Sequence, residues 1–475
     1  YCIMKARLFF IPIAIALLSA CSGYLPEEPR QSLSPVGFVA NTAVPRSEAV
    51  TQSDLERLVA SFSAKMQRPA TRSGEMKYSV ETLADGNGNP AIYVVNFDND
   101  KGFILVSATK KMNPVLAFSE QGKFVTQGEM PGGLKMWRDE AVRLIANADL
   151  LPADTIEKHR AMWRRYEEPL PVVFPQHARP LYTDPELEDM KMKAQTILQD
   201  SVLMWSARGW RVTSVQDAFP NEDLWPIIEG AIYPLYQDDW ERLTIAVEKV
   251  YVWENRKSDC LQSIWGQDHG YNTAFPPIGL FNPQAGCVTV AMGQIMRYHQ
   301  HPARYNWADM PLKSPTDTTS KFLYDIALAT NAKLGVDGTT INSNNVPDVF
   351  RNFGYSCSDL VSYDYDRVRQ NIFYGKPVYM RAGIENANAG HAWVASGYLE
   401  RHESSVWEVF TFTEQSRCRS VHRGKTDDFY YPNKIYMNWG WYGYSDGFYS
   451  DLNFEIPGHG TATGRQAIYD ITPIK

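Results

Sequence analysis

Four residues stand in contexts suited to covalent chemistry: Cys287, His391, Asn438 and Gln267. Cys287 opens the stretch AGCVTVAMGQIMRYH (residues 285–299), where Val288, Ala291, Met292, Ile295 and Met296 repeat at helical spacing as one apolar stripe. Gly286 permits a tight entry and Pro302 stops the helix beyond, so the thiol stands at or just before a helix N-terminus. Unpaired N–H groups and the helix dipole favour negative charge there, which lowers a thiol pKa and enlarges its nucleophilic thiolate fraction. A free cysteine is also among the most commonly buried residues, so this stretch alone leaves a plain core role open.

A thiol nucleophile needs a base for its proton and donors for the oxyanion that forms on its substrate. His391 lies in NAGHAW (388–393), between a glycine and an apolar strand-like run, where an imidazole is both rigid and reachable. A histidine that merely begins a strand has the same appearance. His299 and His301 are poor bases, because 1.5 Å per helical residue puts them about 18 Å from the thiol. MNWGWYG (437–443) offers Asn438 to orient an imidazole and Trp439 as an aromatic cover, although Trp439 and Trp441 also read as core. WGQD (265–268) offers Gln267 as an oxyanion donor.

The elements that must position these groups occupy a long chain. A length of 475 residues implies two or three domains, and 44% hydrophobic with 21% charged residues implies globular material. A net charge of −7 with no basic run argues against a nucleic-acid partner. At the N-terminus a short basic segment from Met4, the expected start, precedes an apolar run from Phe9 to Leu18 and then LSAC (18–21). This order is that of an export signal, too short to span a bilayer, and its end reads as a lipid-attachment box with Cys21 as the acylated residue. A polar, proline-rich tract follows as a tether. Cys260, Cys287, Cys357 and Cys418 remain; with no CxxC pair, neither a zinc site nor a disulfide framework is indicated. If Cys287 is free, the other three form at most one bridge.

Between tether and nucleophile, Gln52–Met66 has helical spacing, and residues 91–97 and 103–106 read as a hairpin about the turn DNDKG, with 115–118 as a third strand. Residues 133–167 and 185–207 read as helical, 239–250 as a further helix, and prolines 169–180 as a linker. Beyond Cys287, residues 377–381, 391–396, 407–412 and 434–439 read as separate strands of an antiparallel sheet, which makes the fold class α+β.

Taken in order, AGCVTVAMGQIMRYH, GHAWVASGY, NWGWYGYSDGFY and WGQDHGYN resemble the streptopain family of secreted cysteine proteases over about residues 258–472. GFILVSAT (102–109) and PVLAFS (114–119) resemble the prodomain of that family, which shares the fold of the Spi protease inhibitor. The resemblance implies a papain-like catalytic domain behind a small α+β prodomain. It also implies Cys287 as nucleophile, His391 as general base and then acid, Gln267 with the Cys287 N–H as oxyanion hole, Trp439 as shield and Asn438 as orienter of the histidine. No cofactor or metal is implied. The expected division is signal 4–21, tether 22–47, Spi-like prodomain 48–150, helical linker or insertion 151–257 and catalytic domain 258–475. The expected partners are protein or peptide substrates, the prodomain as intramolecular inhibitor, and a membrane through the lipid alone, on the bacterial envelope or outside it. Activation is expected by cleavage near Tyr236–Lys257, or else in the linker at Glu168–Pro180.

Three features depart from the resemblance, one being DCLQSI (259–264) in place of the family's apolar approach to WGQ. Tyr442 stands where the family's NWGWGG turn has glycine, and residues 182–257 are longer than the usual connection. Two other readings stay open: a catalytically silent, inhibitor-like binding protein, and another thiol enzyme of papain-like fold such as a transglutaminase or murein peptidase. Trapping of Cys287 by an epoxide, and a choice between casein and murein as substrate, separate them.

Overall fold

The computed structural model describes residues 48–66, 76–128, 130–166, 185–219, 222–224, 226–228, 243–335, 338–383, 390–413, 418–452 and 464–474. The signal, the tether and the proline linker lie outside them. The expected mixed α+β class is what the described residues form.

The N-terminal unit is a four-stranded antiparallel sheet between helices. Its elements are α1 (Gln52–Met66), β1 (Tyr78–Ala84), β2 (Pro90–Phe97), β3 (Phe103–Ser107), β4 (Val115–Ser119), α2 (Gly132–Ala146) and α3 (Ala153–Trp163). Thr51 and Asp54 exchange side-chain and backbone hydrogen bonds of 3.1 and 3.0 Å in a capping box that starts α1. Strand β2 shows why the sheet is covered on both sides. Tyr93 and Val95 join Leu55, Leu58 and Val59 of α1, while Ile92 and Val94 join Leu134, Trp137 and Leu144 of α2. Period-two alternation thus commits one face to each helix.

Next come α4 (Pro185–Ala207), β5 (Arg211–Thr213), α5 (Val215–Ala218) and β6 (Thr244–Lys257). The C-terminal part contains α6 (Cys287–His299), α7 (Asp317–Ala329), α8 (Val346–Asn352), β7 (Tyr355–Ser356), β8 (Val361–Ser362) and α9 (Tyr365–Phe373). Then follow β9 (Val378–Gly383), β10 (Gly390–Thr411), β11 (Arg419–Tyr430), β12 (Lys434–Asn438), β13 (Gly447–Ser450), β14 (Gln466–Ile468) and β15 (Thr472–Pro473).

Two readings of the sequence need correction. Residues 239–250 are not helical where described: β6 begins at Thr244 and pairs with β10 from Thr244↔Thr411 to Lys257↔Tyr398. Its run TIAVEKVYVW is rich in β-branched and aromatic residues, and the long partner strand overrides its weak helical spacing. The stretch 151–257 is therefore helical only in part. A cleavage inside Thr244–Lys257 would cut a strand paired with β10. Second, residues 391–396 and 407–411 belong to one strand, which ends at Thr411, because the polar stretch between them is paired with β6 and β11.

The N-terminal sheet does not stand apart. β13 pairs with β4 through Phe448↔Phe118 and Tyr449↔Ala117, so the sheet runs β1-β2-β3-β4-β13-β12-β10-β9-β14-β8. The rings of Phe118 and Phe448 stack across that junction with centroids 5.3 Å apart. On the catalytic side α6 packs against β9 and β10, and its buried Val290, Met292, Ile295 and Met296 share a core with Phe322 and Leu323 of α7.

Candidate active site

Helix α6 starts at Cys287 because Gly286 adopts φ 87°, ψ 145°, a conformation in which a side chain is strained. It ends at Gln300, left-handed at φ 49°, two residues before Pro302. No side chain caps its first turn. His391 is the second residue of β10, opposite Ala382 of β9. The packing of α6 on these strands brings thiol and imidazole close enough to act on each other's charge.

The two groups shift each other in opposite directions. Burial pushes the Cys287 thiol up, but the His391 charge and hydrogen bond, with the N–H groups of Ala392 and Val288, bring it below its ordinary value. Burial pushes His391 down, but the Cys287 charge and hydrogen bond, with the Trp439 backbone, bring it above the ordinary imidazole value. The other described cysteines behave differently. Burial pushes Cys260 up to about 12 and Cys418 up to about 11, and raises Cys357 as well. All four are free thiols.

Gln267 is buried, and its carbonyl accepts from the Ala285 N–H at 2.7 Å, which ties its loop to the residue two before the nucleophile. Trp439 is fully buried against Trp393 and Tyr449, at ring distances of 5.4 and 5.2 Å. Its backbone N–H donates to Asp446 Oδ1 at 2.9 Å, and its indole N–H to the Ser445 carbonyl at 3.1 Å. Asn438 is buried too, but its amide is committed elsewhere. Nδ2 donates to the Ser263 carbonyl at 2.7 Å, and Oδ1 accepts from Gln294 Nε2 at 2.9 Å and from the Gly440 N–H at 3.1 Å. Among the described residues no hydrogen bond joins Asn438 to His391, whose Nε2 is buried without a directed partner. The expected orienter is not engaged in this arrangement; the backbone of the next residue, Trp439, is what bears on the imidazole.

Three groups at the site escaped the reading of the sequence. Gln294 lies beside the apolar stripe of α6, yet it is fully buried and accepts from Ser263 Oγ at 2.9 Å and the Trp265 N–H at 3.2 Å, so one amide binds the helix to both flanking loops. Asp446, in the DG pair of the third motif, anchors Trp439. The third group comes from the N-terminal unit: Gly132 and Gly133, at the tip of α2, lie against the histidine. A methyl on Gly132 would stand 3.1 Å from His391 Nδ1, and one on Gly133 would stand 2.9 Å from His391 Cδ2 and 2.8 Å from Trp393. Two glycines opening a helix after Pro131 are costly for helix formation, which was the overlooked sign that something packs there.

Two protein families match separate parts of the chain. The family described as Spi protease inhibitor matches residues 47–145, and the peptidase C10 family matches residues 265–449. The chain carries a Spi-type domain and a peptidase C10 domain. It is 23% identical over 463 residues to the thiol protease/hemagglutinin PrtT of Porphyromonas gingivalis, which takes in 87% of this chain and 40% of that protein. The chain thus spans about two fifths of that relative's length. Among solved structures it resembles a cysteine-to-alanine mutant fragment of Prevotella intermedia prointerpain A, with TM-score 0.46 and 16% identity over 84% of this chain and all of that one. It also resembles active interpain A from the same organism, with TM-score 0.32 and 17% identity over 45% of this chain and 94% of that one. In this chain the Spi-type domain contributes the α2 tip, and the C10 domain contributes the thiol, the imidazole and both flanking loops.

Proposed function

We propose that the protein is a cysteine endopeptidase made as a latent precursor. The observation that carries this reading is geometric: Cys287 at the uncapped first turn of α6 is packed against the start of β10, which carries His391, and the pull between the two lowers the thiol while the other described thiols are raised. The Cys287 thiolate attacks the scissile carbonyl carbon, and the oxyanion takes hydrogen bonds from the Gln267 amide and the Cys287 N–H. Protonated His391 gives its proton to the leaving amine as the C–N bond breaks, which leaves a thioester. His391 then takes a proton from water as that water attacks the thioester, and the thiolate is released. Trp439, fully buried beside the dyad, keeps bulk water away from the imidazole.

Latency rests on α2. Its tip fills the space beside His391, and Trp137 anchors it by donating to the Ser450 carbonyl at 2.9 Å and packing edge-on against Tyr449 at 4.8 Å. A substrate backbone needs that space, so the Spi-type domain is the inhibitor until it is cut away. Export and lipidation at Cys21 complete the reading, since a protease destined for the envelope must stay silent in transit; among the described residues no helix is long and apolar enough to cross a membrane. Metabolic labelling with palmitate, compared between wild type and Cys21→Ser, tests the anchor.

The test of the whole reading is incubation of the purified full chain with casein, with N-terminal sequencing of the products. Casein hydrolysis together with a new N-terminus before Thr244, both absent in Cys287→Ala, is expected. Murein cleavage without casein hydrolysis, or processing that survives in Cys287→Ala, would contradict it.

A further inference from the structure

Tyr442 links the two loops that carry catalytic groups, and nothing in the reaction described above uses it. Its backbone is left-handed at φ 59°, a conformation in which a tyrosine is strained and a glycine is not. Strain at a non-glycine residue persists only where the surroundings over-determine it, and here they do. The Tyr442 N–H reaches the Trp265 carbonyl at 3.4 Å, and the half-buried ring lies against Gly266, where any Cβ would overlap it. The hydroxyl accepts from the Asp268 N–H at 2.9 Å, donates to Asp268 Oδ1, and lies 3.2 Å from His269 Nδ1. These contacts bracket Gln267 from residues 265, 266 and 268, on the loop opposite Trp439.

Resting on the peptidase reading, we propose that Tyr442 is a positioning residue that clamps residues 265–268 so that the Gln267 amide meets the developing oxyanion. Among the described residues no hydrogen bond holds the Gln267 side chain; its backbone is held by Ala285 on one side and by its Tyr442-bound neighbours on the other. An oxyanion donor works only when held in place before charge develops, and losing one outright costs about 10²–10³ in kcat. Loosening one costs part of that. Ground-state substrate binding and the thiol itself should be untouched, because Tyr442 contacts neither Cys287 nor His391 among the described interactions.

The experiment compares wild type, Tyr442→Phe and Tyr442→Gly, each matured from the full chain and normalised by active-site titration. The measurements are peptide hydrolysis and the rate of Cys287 alkylation by iodoacetamide, a displacement with no oxyanion to stabilise. Tyr442→Phe, which keeps the ring and loses the hydroxyl, should lower kcat about tenfold with KM and alkylation within about twofold of wild type; Tyr442→Gly should lower kcat further. Gly266→Ala, which drives the ring off, should lose as much as Tyr442→Gly, and the double variant should lose little more than either. An unchanged kcat in Tyr442→Phe, or kcat and alkylation falling together, would overturn the clamp. A wild type that is alkylated at Cys287 yet cleaves no peptide would instead overturn the peptidase reading and the proposal with it.

Discussion

Two helix N-termini converge on one pair of side chains, and they differ in what they bring. Helix α6 starts at a glycine with no capping side chain and presents Cys287, whose thiolate is stabilised by the Val288 N–H. Helix α2 starts after Pro131, also without a capping side chain, and presents only the backbone of Gly132 and Gly133 to His391. Helices α7 and α9 are capped by Thr316 and Asp364, whereas α3 and α8 also start without a capping side chain, so it is the groups placed against the open turns of α6 and α2 that set these two apart. The positive end of a helix dipole favours the thiolate beside α6 and opposes an imidazolium beside α2. One physical device therefore promotes the chemistry from one side and restrains it from the other. A helix end is an electrostatic instrument whose effect depends on the charge of the group placed against it.

The comparison breaks most severely if the dyad is wrong. His391→Ala should lower peptide hydrolysis at least about a thousandfold, because the positioned acid and base is lost and only binding and oxyanion effects remain. The α2 side is tested by Gly133→Leu, whose side chain meets Trp393, His391 and Trp439 and must push the tip outward. Full-length protein carrying it should react with a thiol reagent at Cys287 at least about tenfold faster than wild type, a shift of about 1.4 kcal/mol in the docked equilibrium, while the processed form should be unchanged. Equal labelling of both full-length chains would mean that the tip does not restrain the site.

The pH profile sharpens the electrostatic half. The thiolate appears as pH rises through the Cys287 pKa, which lies below its ordinary value, and the imidazolium disappears as pH rises through the His391 pKa, which lies above its ordinary value. The ion pair therefore occupies a window widened on both sides. In the processed enzyme kcat/KM should be bell-shaped, with an acid limb below the ordinary thiol range and an alkaline limb above the ordinary imidazole range. The smallest effect is expected from His299→Ala, at the far end of α6: activity within about threefold of wild type. Loss of activity in that variant would move the base to the wrong end of the helix.

Much of the site was legible in the sequence because local pattern carries it. The stripe of α6, with glycine before and proline after, fixes where Cys287 stands, and the hairpin about residues 98–102 follows from its turn residues. What local pattern could not supply was long-range pairing. Residues 244–257 form a strand only because β10 lies beside them, and β10 stays one strand through the polar run 400–405 only because β6 and β11 hold it. The roles of Asn438 and Gly132 escaped for the same reason. An amide beside a tryptophan reads as an orienter until Gln294 and Ser263 are seen to occupy it, and a glycine at a helix start reads as a weak residue until a histidine is found against it.

The most direct measurement is the mass-mapped rate at which an epoxide inhibitor of thiol proteases alkylates each cysteine, in the full chain and in the same protein after processing. The account predicts an adduct on Cys287 alone, forming at least about tenfold faster after processing and lost in His391→Ala. Adducts of equal rate in both forms, or labelling that favours Cys260, Cys357 or Cys418, would contradict it.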